Sequence, residues 1–288
     1  MNIGAHISIA GGIQNAPERA NALGCEVMQI FTRSPRGGKA PALTNSIREE
    51  FESLKLKFKI KEVYIHTPYY INFASLDNRI RHGSTSIVRD ELERGSLIGA
   101  KYVMTHLGSA KGMTHDQSIQ KVIEMLQKTL ENYSGETKLL LENSAGAGEI
   151  IGSSLSDLKI IIAGVKNKSI AGICLDTQHS FASGYDWRDF KKTIARIEKE
   201  LGLKNIKLIH ANDSLTDFDS KRDRHAHIGE GKIGKEAFQN IVAFAKENNI
   251  DLILETEHNK VTEDIKLLKS FKLCKSPSPQ TFTTTKST

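Results

Sequence analysis

Six side chains of the kind that bind divalent cations, His66, His106, Glu142, Asp176, His210 and Glu255, recur along this 288-residue chain at gaps of 40, 36, 34, 34 and 45 residues. Each closes a short apolar, β-branched-rich run: Val63–His66, Tyr102–His106, Leu139–Glu142, Ile173–Asp176, Ile206–His210 and Leu252–Glu255. A lone histidine at a strand end usually serves as a hydrogen-bonded structural residue. Six acidic or imidazole groups meeting in one place would instead be electrostatically frustrated without cations between the carboxylates. Two local motifs extend the set. In Asp176-Thr177-Gln178-His179 the i,i+3 spacing lets a strand-ending carboxylate and an imidazole on the following turn point the same way. In Asp223-Arg224-His225 the i,i+2 spacing puts both groups on one face of extended backbone.

Together these make five histidines and four carboxylates. Zinc takes imidazole nitrogen and carboxylate oxygen at about four positions, and a carboxylate can bridge two ions. The nine residues would therefore fill two or three sites and leave positions for water and substrate. Four carboxylates against three divalent ions leave a net positive centre, suited to a phosphate oxyanion and a hydroxide. The implied chemistry is metal-assisted hydrolysis of a phosphodiester. The same ligand types accept manganese as readily as zinc.

Convergence of residues so far apart needs a fold that brings strand ends together. Two earlier runs, Asn2–His6 and Val27–Thr32, raise the candidate strands to eight. Helical periodicity or composition fills the intervals at Ala16–Leu23, Ile47–Lys59, Asn78–Ile98, Asp116–Glu131, Leu155–Val165, Trp187–Leu201, Lys235–Glu247 and Glu263–Phe271. Strict β-then-α alternation implies parallel strands joined by right-handed crossovers. Eight such units suit a closed (β/α)8 TIM barrel, a single α/β domain over residues 1–274, better than the alternative of an open doubly wound sheet. In that barrel the C-terminal ends of all strands surround one mouth. Ala145-Gly146-Ala147-Gly148 completes no nucleotide-binding glycine motif and reads as a βα loop. Residues 275–288, rich in Ser, Thr, Pro and Lys, read as a disordered tail.

With 39% hydrophobic and 26% charged residues, collagen-like and fully disordered chains are excluded. No run reaches the ~18 apolar residues of a membrane helix, and the start lacks a signal-peptide pattern, so a cytoplasmic protein with no membrane partner is expected. Cys25, Cys174 and Cys274 are widely separated and suggest reduced, buried thiols rather than a disulfide framework. A net charge of +6 biases the chain modestly towards polyanions.

At this point the residues resemble a known family, the endonuclease IV type of apurinic/apyrimidinic endonucleases. The resemblance runs from Gly4-Ala5-His6-Ile7-Ser8 with Ala10-Gly11-Gly12 to Leu252-Ile253-Leu254-Glu255-Thr256. Its most specific pieces are Leu175-Asp176-Thr177-Gln178-His179 continuing through Phe181–Asp186, and Asp223-Arg224-His225 followed by Ile228-Gly229-Glu230-Gly231. What it implies is a TIM barrel with a trinuclear zinc site that cleaves duplex DNA 5' to an abasic site, leaving a 3'-hydroxyl and a 5'-deoxyribose phosphate. One zinc would be held by His66, His106 and Glu142, a second by Glu142, Asp176, His210 and Glu255, and a third by His179, Asp223 and His225. Glu142 would bridge, and either Glu142 or Glu255 could also orient the attacking water. Arg36, Tyr69 and Tyr70 match the loop positions expected to probe the DNA at the lesion. The resemblance further suggests a monomer with no organic cofactor.

Two stretches depart from the family pattern. Gly37-Gly38 replaces a polar residue followed by Trp, which implies a more mobile recognition loop, and Glu257-His258 stands where Pro is common. His6 ends the first strand and could reach the mouth, whereas His82, His115, His227 and His258 match no ligand position and read as loop or surface residues. Two rival readings share the barrel: a divalent-metal sugar isomerase or epimerase, and a non-catalytic binder of damaged DNA. The first has no need of the additional His179, Asp223 and His225, and the second would show an incomplete ligand set, whereas all nine positions are filled.

Overall fold

Strands made of Val, Ile and Leu on both faces must be covered on both, and the chain does this by closing its sheet on itself beneath a jacket of helices. The computed structural model describes residues 1–274; the expected tail, 275–288, lies outside the described residues. In chain order the strands are β1 (Ile3–Ile7), β2 (Val27–Ile30), β3 (Val63–His66), β4 (Tyr102–Thr105), β5 (Lys138–Glu142), β6 (Ile170–Asp176), β7 (Ile206–His210), the short pair β8 (Asp213–Ser214) and β9 (His225–Ala226), and β10 (Asp251–Leu254). All but β8 and β9 form a closed parallel barrel in the order β1-β10-β7-β6-β5-β4-β3-β2. The helices are α1 (Ala16–Ala22), α2 (Asn45–Lys57), α3 (Asn78–Leu97), α4 (His115–Leu130), α5 (Leu155–Val165), α6 (Thr177–Ala182), α7 (Phe190–Glu200), α8 (Lys235–Glu247) and α9 (Val261–Leu273). Among the described residues no helix is long and apolar enough to cross a membrane.

Local signals explain where these helices sit. In α4, Thr114 and Gln117 form a reciprocal capping box, and Ile119, Val122, Ile123, Met125, Leu126 and Leu130 line the face turned to the barrel. Asp77 and Ser154 cap α3 and α5 in the same sense, each accepting from backbone N–H groups of the first turn.

The barrel interior is built in layers. Val27, Tyr64, Met104, Leu140, Cys174, Leu208 and Ile253, one from each barrel strand except β1, form an apolar plug separate from the core beneath the helices. Side chains of a strand return to the same face every second residue. Two positions further along those seven segments stand Gln29, His66, His106, Glu142, Asp176, His210 and Glu255; on β1, two positions beyond Gly4, stands His6. The plug therefore carries a polar layer at the C-terminal mouth, to which every barrel segment contributes. Register agrees, with His6 opposite Gln29 and Asp176 opposite His210.

Two elements escape the sequence reading. Helix α6 follows β6 with no connecting loop, because the Asp176 carboxylate caps it by accepting from the His179 N–H at 2.7 Å. The β8–β9 hairpin is two residues deep, too short for any alternation to show. The expected strand ends also shift slightly: His106 and Glu255 lie one residue past β4 and β10, and β1 runs one residue beyond His6. Trp187 precedes α7 rather than beginning it, its indole donating to Thr177 O and Ser180 Oγ beneath α6. All three thiols are free, and Cys25 and Cys174 are buried as expected; Cys274 is exposed, because it follows α9 at the barrel surface.

The hairpin is held by one carboxylate. Asp213 is fully buried, and its oxygens accept from the backbone N–H groups of Ser214 (2.7 Å), Gly229 (2.9 Å), Gly231 (3.1 Å), Ile233 (2.9 Å) and Gly234 (3.3 Å). Such a nest of amides stabilises a buried negative charge without a cationic partner. The Gly229-Glu230-Gly231 motif is thereby explained, since a Cβ at Gly231 would fall 2.4 Å from Asp213 Oδ1. A second buried carboxylate, Asp264 on α9, accepts from Ile228 N, Thr256 Oγ1 and His227 Nδ1, the last at 2.7 Å. His227 is therefore a partly buried tether between this loop and the one after β10, not a surface residue.

Replacing Asp213 with Ala should cost roughly 2–4 kcal/mol in urea unfolding, because several amides lose their acceptor together. Hydrogen exchange should accelerate at Gly229, Gly231 and Ile233; unchanged protection there would show that the nest is dispensable. In the barrel wall a Cβ at Gly4 would lie 1.8 Å from Val27 O. Gly4→Ala should therefore lower stability by roughly 3 kcal/mol or more, or prevent folding, read from the same denaturation curve.

Candidate metal centre

Glu142 ends β5 at the centre of the mouth, with no solvent exposure, and its two oxygens face different neighbours. Oε2 lies 2.9 Å from His66 Nε2 and 3.5 Å from His106 Nε2. Oε1 lies 2.9 Å from His210 Nδ1 and 3.6 Å from His179 Nδ1. Glu255 Oε2 is 3.2 Å from the same His210 nitrogen, and Asp176 Oδ2 stands 3.9 Å from it. Asp176 Oδ2 also lies 3.7 Å from His225 Nε2, so this carboxylate faces two groups of imidazoles at once.

Donor atoms gather into three compact sets: His66, His106 and Glu142; Glu142, Asp176, His210 and Glu255; and Asp176, His179 and His225. The first two have the membership the sequence reading gives them. In the third, Asp176 stands where that reading puts Asp223. The Asp223 carboxylate, more than half exposed, approaches from the solvent side, 3.2 Å from His179 Nε2 and 3.3 Å from His225 Nε2. His225 Nε2 is buried and makes no hydrogen bond, yet points between Asp176 and Asp223. A ring nitrogen aimed between two carboxylates without donating to either fits a cation held among them.

The electrostatics follow from crowding. Burial alone would raise the Glu142 carboxyl, but His106, His210 and His66 hold it well below its ordinary value. Against the same desolvation, His210 and its neighbours hold Glu255 down at about 2. Burial likewise pulls the His179 imidazole towards its neutral form, and Asp176 and Asp223 overcome this, taking it up to about 10. His66 is raised in the same way against burial by Glu142. His6 is carried down to about 3 by its burial, which outweighs the opposing pull of Glu255 4.0 Å away. Charge in this mouth is thus balanced between carboxylates and whatever cations neighbour them.

One nitrogen of each of two rings is anchored to the backbone. His66 Nδ1 donates to Thr67 O at 2.6 Å and His179 Nδ1 to Asn143 O at 3.0 Å, which leaves each Nε2 facing inward. Asn212 Nδ2 donates to Asp176 Oδ2 at 2.7 Å and its Oδ1 accepts from Glu255 N at 2.9 Å, steadying two carboxylates. Asn143 clasps the backbone of Asp176 through both ends of its amide. The sequence reading misses Asn143, Asn212 and Gln29. The first lies one residue beyond a candidate ligand and the second two beyond; all three are neutral, so a search for charged ligand types passes over them.

Two loops overhang the centre. After β2, Thr32 and Arg33 turn inward: Thr32 Oγ1 donates to Glu91 Oε2 at 2.6 Å, Arg33 pairs with Asp90 and Glu91, and Arg94 donates to Thr32 O at 2.8 Å. Burial of this cluster leaves Arg36 as the exposed arginine of the loop. After β3, Tyr69 is 67% exposed with its ring 6.1 Å from that of His66, at the lip of the centre. A Cβ on Gly37 would lie 4.0 Å from the Tyr70 ring, so the two loops come close to one another here.

With this geometry in view, likeness to known proteins is informative. The family model described as a xylose isomerase-like TIM barrel matches residues 17–271. A protein of Halothermothrix orenii named a probable endonuclease 4 is 38% identical over 262 residues, covering 89% of this chain and 93% of its own. The crystal structure of endonuclease IV from Thermus thermophilus superposes with a TM-score of 0.84 at 30% identity, over 94% of this chain and 98% of that one. A D-tagatose 3-epimerase-like protein, at 19% identity and a TM-score of 0.72 over 94% and 97% of the two chains, shares the fold alone. Matches of this extent and identity establish that the chain belongs to the endonuclease IV family, built on a xylose isomerase-like TIM barrel.

Proposed function

We propose that this enzyme, a metal-dependent nuclease, hydrolyses the phosphodiester 5' to an abasic site in duplex DNA, leaving a 3'-hydroxyl and a 5'-deoxyribose phosphate. The observation that carries the reading is the division of the Glu142 carboxylate, one oxygen towards His66 and His106 and the other towards His210. That is the arrangement of a bridging ligand between two cations. We assign His66, His106 and Glu142 to one ion, Glu142, Asp176, His210 and Glu255 to a second, and His179, His225, Asp223 and a shared Asp176 to a third. Zinc suits these donors, and manganese is accommodated at one or more of the positions. When bound, the ions supply a lowered water pKa and positive charge for the phosphate oxygens.

The chain's own residues do the rest. Glu142 and Glu255 hold their carboxylates ionised at the centre, where they ligate and orient water. Tyr69 and Tyr70 offer aromatic faces at the lip, and Arg36 offers a guanidinium for phosphate or for the space left by a missing base. The chain acts as a monomer and needs no organic cofactor. A sugar isomerase on the same barrel would draw on the first two sets only; the His179, Asp223 and His225 group favours the nuclease.

The test is incision of a duplex containing one stable abasic analogue by protein stripped of metal and reloaded with zinc or manganese. Cleavage immediately 5' to the lesion with a 3'-hydroxyl end is expected. A metal-replete protein that leaves the duplex intact but converts sugar substrates would replace this reading with the epimerase one. Glu142→Gln should lower turnover by roughly a thousandfold or more with little change in the thermal transition, since several kcal/mol of charge stabilisation depend on it. Near-normal turnover in that variant would remove the bridge. Arg36→Ala should weaken binding to abasic duplex roughly tenfold at unchanged metal content; loss of metal there would show that the loop is misassigned.

A further inference from the structure

The polar layer at the mouth contains one residue that carries no charge and offers no ordinary ligand atom. Gln29 occupies the β2 position of that layer and is fully buried. Its Nε2 donates to Glu255 Oε1 at 2.7 Å and to His6 Nδ1 at 2.9 Å, and its Oε1 accepts from His210 Nε2 at 2.7 Å. The direction of the amide is fixed by chemistry. An ionised carboxylate only accepts, so the nitrogen must face Glu255; the turned amide would set oxygen against oxygen. The oxygen is then committed to His210, and the Nε2 of that ring must carry hydrogen.

We propose that Gln29 is a positioning residue that makes His210 present Nδ1 to the metal centre. The inference rests on the metal centre proposed above. Glu255 orients the Gln29 amide, the amide fixes the His210 tautomer, and the tautomer turns Nδ1 towards Glu142 Oε1 at 2.9 Å and Glu255 Oε2 at 3.2 Å. His66 and His179 are anchored in the opposite sense, through Nδ1 and by backbone carbonyls that no substitution removes. His210 depends on a side chain. Gln29 also ties Glu255, which lies just past β10, to its partner in the same set, so one amide holds two of four donors.

The experiment is long-range 1H–15N correlation of the histidine rings in zinc-loaded wild type, Gln29→Leu and Gln29→Glu, with zinc affinity measured by chelator competition on the same samples. In the wild type His210 should show a metallated Nδ1 and a slowly exchanging Nε2–H. Gln29→Leu should lose the protected Nε2–H, populate more than one ring state, and weaken one zinc equivalent roughly 10- to 100-fold. Gln29→Glu keeps an acceptor for Nε2–H but not the donors; it should preserve the His210 signature while affinity falls through repulsion of Glu255. It also serves as the informative variant should the leucine protein fail to fold, since loss of the His210 signature in Gln29→Glu would overturn the proposal. An unchanged His210 spectrum and affinity in Gln29→Leu would overturn it while leaving the metal centre standing. A wild-type His210 ring that zinc does not touch would instead overturn the metal reading, and this inference with it.

Discussion

A carboxylate with no access to water stays ionised only where positive charge or converging hydrogen-bond donors surround it, and Glu142, whose oxygens face imidazoles, imposes that condition on the whole mouth. Its oxygens need cationic neighbours on two sides at once. No single loop provides these, so imidazoles must arrive from β3, β4 and β7 and from the turn that opens α6. A parallel barrel meets the requirement because its strands all end at one rim and every second side chain faces inward. The apolar plug beneath contributes in turn: it lifts the polar layer to the surface of the interior and leaves no room for that layer to sink and neutralise itself.

Much of this was legible in the sequence. Strand-closing histidines and carboxylates at intervals of one βα unit gave the barrel and the mouth, and the Asp-x-x-His and Asp-x-His spacings brought in His179, Asp223 and His225. What stayed hidden depended on geometry that composition does not record. Gln29 stands two residues beyond Val27 just as His66 stands two beyond Tyr64, so strand periodicity would have found it; its neutral amide kept it out of a search for ligands. The double exposure of Asp176 to His210 and His225 could not be read, because it arises from α6 following β6 without a gap and from a hairpin too short to have a pattern. Arg33 reads like Arg36 in sequence, and only the buried Glu91 and Arg94 on α3 separate the two, turning one inward and leaving the other in solvent.

That α3 cluster divides the loop after β2 into two mechanical parts. Its base is fastened through Thr32 and Arg33 by hydrogen bonds and an ion pair to Glu91 that are buried, where salt screens them little. Its tip, with Gly37 and Gly38 both at positive φ, comes near Tyr70 of the neighbouring loop. A firm base beneath a compliant tip suits a surface that must meet a duplex whose shape varies at a lesion. Arg36 at the tip is therefore separated from the buried cluster at the base, whereas Tyr69 on the next loop sits beside His66 of the polar layer.

The β8–β9 hairpin lies within one connection, between the end of β7 and the start of α8, and takes no part in barrel pairing. Asp223 and His225 both lie in this connection, whereas His6, Gln29, His66, His106, Glu142, Asp176, His210 and Glu255 stand on or just past the barrel strands, with Asn212 at the foot of the connection steadying Asp176 and Glu255. The third group is thus assembled from two places, Asp176 and His179 where β6 meets α6, and Asp223 and His225 on this excursion from the barrel. Half of that group therefore depends for its position on Asp213 and its ring of amides, the clasp that makes the excursion rigid.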